Sequence, residues 1–175
     1  MTNTLDPKKL LKENIKWNRK WMDEPNYLHS YRVYNLLKEE ITDADVLIAW
    51  ILHDIVEDSD ITFDDLKRLW YTTRTIELIR NCTHDDSIGE SIIKRSEMIQ
   101  RAMKDRDSFL IKMADATDNI KTIHHMSKPS FKRYMEVKSK FFKAAGAVAF
   151  PDTKIYRIFL ERYDMQKERY DELFA

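Results

Sequence analysis

Apolar side chains recur every three to four residues along this chain, and polar clusters or prolines interrupt the runs. That spacing predicts helices over residues 7 to 21 and 27 to 39, and a third from residue 43 to Val56 or beyond, with Thr42 or Asp43 accepting the free N–H groups of its first turn. "ITFDDLKRLW" predicts a shorter helix, capped by Thr62 with Asp65 at the capping-box distance. "TRTIELIRNCTH" predicts the next. Ile92, Ile93, Met98, Ile99 and Met103 mark a helix over residues 91 to 104, and another follows over 107 to 126. Pro129 separates it from "SFKRYMEVKSKFFKAA". Pro151 suits the first turn of a last helix whose inner face carries Ile155, Ile158, Phe159, Tyr163 and Met165 or Gln166.

The run "VLIAWIL" also suits a buried strand, because periodicity cannot separate the two in so short a stretch. The sequence holds two glycines and four prolines, which leaves little for the hairpin turns that partner strands would need. The expectation is therefore an all-α fold: one helical bundle of seven or eight helices, with residues 1 to 175 forming a single domain.

Composition narrows the partners. Thirty Lys and Arg balance 30 Asp and Glu, so no overall field draws the chain to nucleic acid or to an anionic membrane. The lone cysteine, Cys82, excludes an internal disulfide and a cysteine-rich zinc site and fits a reducing compartment. Without a signal pattern at the N-terminus or an apolar run long enough to span a bilayer, the expectation is a cytoplasmic protein.

Against that neutral background, "WILHDIVEDSD" concentrates a histidine and four acidic residues directly after one of the most apolar stretches. Such groups are costly near a core unless something compensates their charge. If residues 43 to 57 are helical, His53 and Glu57 are paired at i and i+4, and Asp54 and Asp58 follow likewise. Adjacent residues point about 100° apart on a helix, so His53 and Asp54 can grip one ion only from its edge. Further ligands must come from elsewhere. His29, in "NYLHSYRVYNLL", and Asp115, with Asp118 and Asn119 in "FLIKMADATDNI", stand at comparable junctions of apolar and acidic sequence. Two imidazoles and two carboxylates make a mixed site suited to Mn²⁺, Fe²⁺ or Zn²⁺. Such an ion favours hydrolysis of a phosphate ester or anhydride. Taken singly, each residue has a plainer reading. Asp115 can pair with Lys112, Asp60, Asp64 and Asp65 can cap the next helix, and His84, His124 and His125 can close helix ends.

The order His29, His53-Asp54, Asp115 resembles the metal motif of the HD-domain phosphohydrolases. "DVLIAWILHDIVEDSDITFDDLKRLW" and "DSFLIKMADATDNIKTI" are similar to the hydrolase domain of the RelA/SpoT family over roughly residues 23 to 146, in the manner of its standalone small alarmone hydrolases. The resemblance implies a Mn²⁺ ion on His29, His53, Asp54 and Asp115, and removal of the 3′-pyrophosphate of guanosine tetra- and pentaphosphate (ppGpp and pppGpp). It also implies that Glu57 and Asp58 position and activate the attacking water. Asn119 would contact the nucleotide, Arg19 and Lys20 would line its pocket, and Lys138 would be a further contact.

The sequence departs from that pattern at Thr83-His84, where Thr-Lys is usual, at Trp70-Tyr71 for Phe-Gly, and at Ala116-Thr117-Asp118 for Arg-Leu-His. An acid in place of a histidine beside the site changes how a polyphosphate is received. An HD phosphohydrolase of another nucleotide, such as an NADPH-type cofactor or a deoxynucleotide, is therefore the alternative enzyme, and a catalytically silent nucleotide-binding regulator is the alternative outside catalysis. The helix over residues 151 to 173 is expected either to close the fold or to form the surface of a homo-oligomer.

Overall fold

The structure is a computed structural model that describes residues 5–16, 18–19, 22–38, 41–85, 87 and 91–175. Its regular elements are helices: α1 (Pro7–Asn14), α2 (Tyr27–Leu37), α3 (Ala44–Leu52), α4 (Ile55–Asp58), α5 (Phe63–Arg68), α6 (Thr73–Cys82), α7 (Ser91–Met103), α8 (Arg106–Thr122), α9 (Lys128–Arg133), α10 (Lys140–Ala149) and α11 (Lys154–Phe174). A 3₁₀ turn at Ile123–His125 follows α8, and a π-helical stretch at Tyr134–Ser139 joins α9 to α10. The extended pairing found among the described residues is an isolated bridge between Asn18 and Pro25. The apolar run "VLIAWIL" is thus helix, as the missing strand partners required.

Two compact units can be distinguished. The first holds the described residues up to Arg19 and Asp23–Lys112; the second holds Met22 and Met113–Ala175. In the first, α3 packs on α1, α2 and α6, and α6 packs on α5 and α7. Leu11, Val33, Ala49, Trp50, Leu52, Ile55, Leu66, Leu78 and Ile79 are fully buried there, each large side chain contributing about 1.5–3 kcal/mol by leaving water. In the second, α11 packs on α10 and on the π-helical stretch, burying Ile155, Tyr156, Phe159 and Tyr163. α8 begins in one unit and ends in the other, and from Ser108 to Asn119 it is buried around its whole circumference, polar residues included.

The capping chemistry matches the sequence. Asp43 accepts from the N–H groups of Asp45 and Val46, and Thr62 and Asp65 form a complete capping box. Asp105 accepts from the N–H groups of Asp107 and Ser108, 3.0 Å each. Arg74 binds Asp105 and reaches Asp107 at 2.6 Å, tying the start of α8 to α6 and holding the Asp105 carboxyl below its ordinary range.

Several boundaries differ from the expectation. α1 stops at Asn14, whose side-chain amide donates to the Leu10 carbonyl at 2.8 Å while Ile15 turns extended, a side-chain bond that competes with helix continuation. The third predicted helix breaks at His53-Asp54 and resumes as α4. Pro151 lies in a turn closed by the Thr153 N–H on the Phe150 carbonyl at 3.2 Å, and α11 starts only at Lys154 under a Thr153 cap. On its inner face Gln166 is buried and Met165 exposed. α5 closes with the Tyr71 N–H on the Leu66 carbonyl and the Trp70 N–H on the Lys67 carbonyl. That Schellman closure puts exposed Trp70 at φ 64°, a conformation that favours glycine.

Gly146 sits inside α10 although glycine costs a helix interior about 1 kcal/mol. A Cβ there would lie 2.6 and 2.7 Å from ring carbons of Tyr156, a buried side chain whose hydroxyl donates to the Lys143 carbonyl at 2.8 Å. Gly146→Ala is therefore expected to destabilise the protein by about 1–3 kcal/mol through overpacking, read as a lower urea midpoint at unchanged slope. An exposed glycine would respond in the opposite sense.

Candidate metal and hydrolytic site

His53 follows the last residue of α3, and its Nδ1 lies 2.8 Å from the Trp50 carbonyl oxygen. That carbonyl is the one a continuing helix would offer to the Asp54 N–H. Asp54 then takes φ −104° and ψ 3°, and the chain turns before α4 starts. A carbonyl only accepts, so the ring proton sits on Nδ1 and the Nε2 lone pair is left to face Asp54, whose Oδ2 is 3.0 Å away. Two acceptors at that separation call for a proton or a cation between them.

His29 comes to the same place from α2. Its Nε2 is 3.9 Å from Asp54 Oδ2, a nitrogen of its ring lies within 4.8 Å of one on His53, and the two ring centroids are 5.5 Å apart. Both imidazoles are buried. Asp54 is partly exposed. This donor set of two imidazole nitrogens and a carboxylate oxygen fits a divalent transition ion, and the Nδ1 bond to Trp50 supplies the outer contact that fixes a metal-binding tautomer.

The residue that starts α2 contributes as well. Asn26 occupies the N-cap position without capping; its side-chain amide donates instead to Asp58 Oδ2 at 2.6 Å. Upstream, Glu24 accepts both guanidinium branches of Arg32, at 3.0 and 2.7 Å, and its carbonyl accepts the Arg19 N–H at 3.1 Å. The approach to α2, and with it Asn26 and His29, is thereby held. Burial and then the neighbouring charges of Asp54 and Glu57 push the Asp58 carboxyl up to about 7.

Glu57 points to a different partner. Its Oε1 accepts the His84 backbone N–H at 2.6 Å and lies 2.8 Å from His84 Nδ1. Sequence reasoning placed neither Asn26 nor His84 in this cluster. The signal for His84 was its departure from the usual lysine; for Asn26 there was none beyond its position before a helix.

Of the remaining residues singled out in the sequence, Asp115 and Asn119 lie buried one turn apart on α8, with the Asn119 amide donating to Asp115 Oδ1. Asp118 is buried on the same helix. Arg19, in the segment that connects α1 to α2, is buried. Lys138 belongs to the π-helical stretch, its ammonium 5.2 Å from the centroid of the Tyr134 ring. Lys20 lies outside the described residues.

No protein-family model matches the chain. The chain is 36% identical over 103 residues to the guanosine-3′,5′-bis(diphosphate) 3′-pyrophosphohydrolase MESH1 of Drosophila melanogaster, covering 58% of this chain and 57% of the fly protein. With the MESH1 protein of Danio rerio it is 28% identical over 146 residues, 79% of this chain and 81% of the fish protein. The bifunctional (p)ppGpp synthase/hydrolase SpoT of Escherichia coli is 30% identical over 106 residues, 57% of this chain but 15% of that enzyme. The match thus spans little more than half of the fly relative and a small part of the bacterial one. Among solved structures, a metazoan ortholog of SpoT described as hydrolysing ppGpp superposes with a TM-score of 0.80 at 24% identity, over 95% of this chain and 96% of that one. A Listeria monocytogenes protein superposes at 0.67 and 18%, over 85% and 99%. At those identities the likeness is one of fold, and that fold is the all-helical one expected.

The Asp58 carboxyl yields a pH prediction for protein kept free of divalent ions. Between the ordinary carboxyl value of 3.8 and about 7, the folded state holds a proton that the unfolded chain has released, so stability falls as pH rises through that window. Thermal melts from pH 4.5 to 7.5 should show this decline in the wild type, and Asp58→Asn should flatten it. Equal slopes in the two proteins would place the titration elsewhere.

Proposed function

We propose that this chain, which resembles the RelA/SpoT-type hydrolases in sequence and fold, removes the 3′-pyrophosphate of guanosine tetra- and pentaphosphate with the help of a bound Mn²⁺ ion. The observation that carries the reading is the meeting of buried His29 and His53 with Asp54 beside the acid pair Glu57 and Asp58, in a chain whose relatives bear the name of that hydrolase. We assign Asp115 as the fourth ligand on the motif "IKMADATDN", and the protein as a single hydrolase domain closed by its last helix.

A bound divalent ion would supply Lewis acidity toward the phosphoryl oxygens and a more acidic water. The chain's own part is to hold and deprotonate that water. Asn26 engages Asp58 Oδ2 and so orients the carboxylate that takes a water proton as the new P–O bond forms. The bond between phosphorus and the 3′ oxygen breaks, pyrophosphate departs, and the 3′ oxygen gains a proton to leave the nucleoside hydroxyl. Asn119, Arg19, Lys20 and Lys138 are assigned to the nucleotide by resemblance.

A second reading keeps the reaction type and changes the substrate. It is favoured by buried Asp118, which stands where a histidine is usual and would repel a phosphate brought close to it. The substrate would then be another phosphorylated nucleotide, of the NADPH or deoxynucleotide class.

Mn²⁺-loaded protein incubated with a panel of nucleotides, with products separated by chromatography, distinguishes the two. Pyrophosphate and guanosine 5′-diphosphate from the tetraphosphate are the expected products; release of orthophosphate or triphosphate instead would overturn the first reading. Asp58→Asn should lower kcat by about 100- to 10,000-fold, as loss of a general base does. Asp54→Ala should abolish turnover without rescue by excess Mn²⁺, because the ligand's charge and its geometry are lost together.

A further inference from the structure

We infer that His84 is a positioning residue that clamps Glu57 through two donors on one carboxylate oxygen, fixing the orientation of the Glu57 carboxylate beside Asp58. The inference rests on the reading of Glu57 and Asp58 as the pair that handles the attacking water, and it adds the residue that holds one of them in place.

The segment carrying His84 is anchored before it reaches Glu57. α6 ends at Cys82, and Thr83 turns extended, at φ −91° and ψ 139°. The Thr83 hydroxyl donates back to the Ile79 carbonyl at 2.8 Å, while its own carbonyl accepts from the Arg101 guanidinium on α7. The Thr83 side chain and the carbonyl of the Thr83–His84 peptide are therefore both tied, which fixes where the His84 N–H points. It points at Glu57 Oε1, 2.6 Å away.

The imidazole makes the second contact, with Nδ1 2.8 Å from the same oxygen. A carboxylate only accepts, so Nδ1 carries the hydrogen. One oxygen of Glu57 is thereby occupied by two donors from a single residue, and the carboxylate can no longer rotate freely. Its Oε2 is left for chemistry. Charge-assisted bonds of this kind add geometric definition as well as energy, and reacting groups need orientation held to within a few tenths of an ångström to be effective. With Glu57 itself exposed on the short helix α4, this restraint has to come from outside that helix.

Steady-state kinetics on guanosine tetraphosphate with wild type, His84→Leu, His84→Gln, Glu57→Gln and the double variant test the role. His84→Leu should lower kcat about 10- to 100-fold with KM changed by less than about threefold, while a divalent-ion titration and a thermal melt stay as in the wild type. His84→Gln, which keeps a side-chain donor, should recover most of the loss. In the Glu57→Gln background, His84→Leu should have no further effect. An unchanged kcat in His84→Leu, or the same loss with and without Glu57, would overturn the clamp. If Glu57→Gln itself retains full turnover, the reading of Glu57 fails first. Nitrogen-15 NMR of the imidazoles gives an answer that needs no turnover. The clamp requires a His84 ring protonated at Nδ1 in the wild type and a shifted His84 amide in Glu57→Gln; a ring protonated only at Nε2 would refute it.

Discussion

The hydrogen bond between His53 Nδ1 and the Trp50 carbonyl is the constraint on which the site depends. It joins one of the most buried helices of the chain to the first residue with chemistry. By occupying a carbonyl of the last turn it accompanies the break between α3 and α4, and by holding the proton on Nδ1 it turns the Nε2 lone pair toward Asp54. Trp50, Leu52 and Ile55 around it are fully buried, so the imidazole is held by a packed core rather than by a loop. A metal ligand gains affinity from being held in that way, since little order has to be imposed when the ion arrives.

Around that bond, the first unit spends its polar side chains on orientation. Asn26 gives up the capping role its position suggests and binds Asp58. Glu24 and Arg32 hold the approach to α2. Thr83 and Arg101 hold the segment that reaches Glu57. Leaving any of these groups unmatched near the core would cost about 1–3 kcal/mol each. Of the four acids at the end of the apolar run, which looked excessive in the sequence, three have a distinct neighbour: Asp54 the two histidines, Asp58 Asn26, and Glu57 His84.

Much of this was legible beforehand, for identifiable reasons. The periodic spacing of apolar residues and the scarcity of glycine pointed to the all-α fold, and the Thr62–Asp65 capping box is a short-range motif that depends only on neighbours. His29 and Asp54, 25 positions apart in the sequence, lie 3.9 Å apart beside His53. What sequence spacing could not give was the break at His53-Asp54, because helical periodicity continues across it and the bond that accompanies it runs from a side chain to a carbonyl. Gln166, polar on paper, is buried because its amide meets the Lys121 carbonyl and His124, whereas apolar Met165 faces solvent. Neither Asn26 nor His84 could be placed in the site from sequence, because their partners lie 32 and 27 positions away and the departure from lysine at His84 points to no partner.

Under the proposed function, the facing of His53 Nε2 and Asp54 holds a divalent ion. Isothermal titration of Mn²⁺ into metal-stripped wild type and His53→Gln at neutral pH tests it most directly. One ion per chain should bind the wild type, with affinity lower by at least about tenfold in His53→Gln. Equal binding by the two proteins, or none by the wild type, would contradict the account.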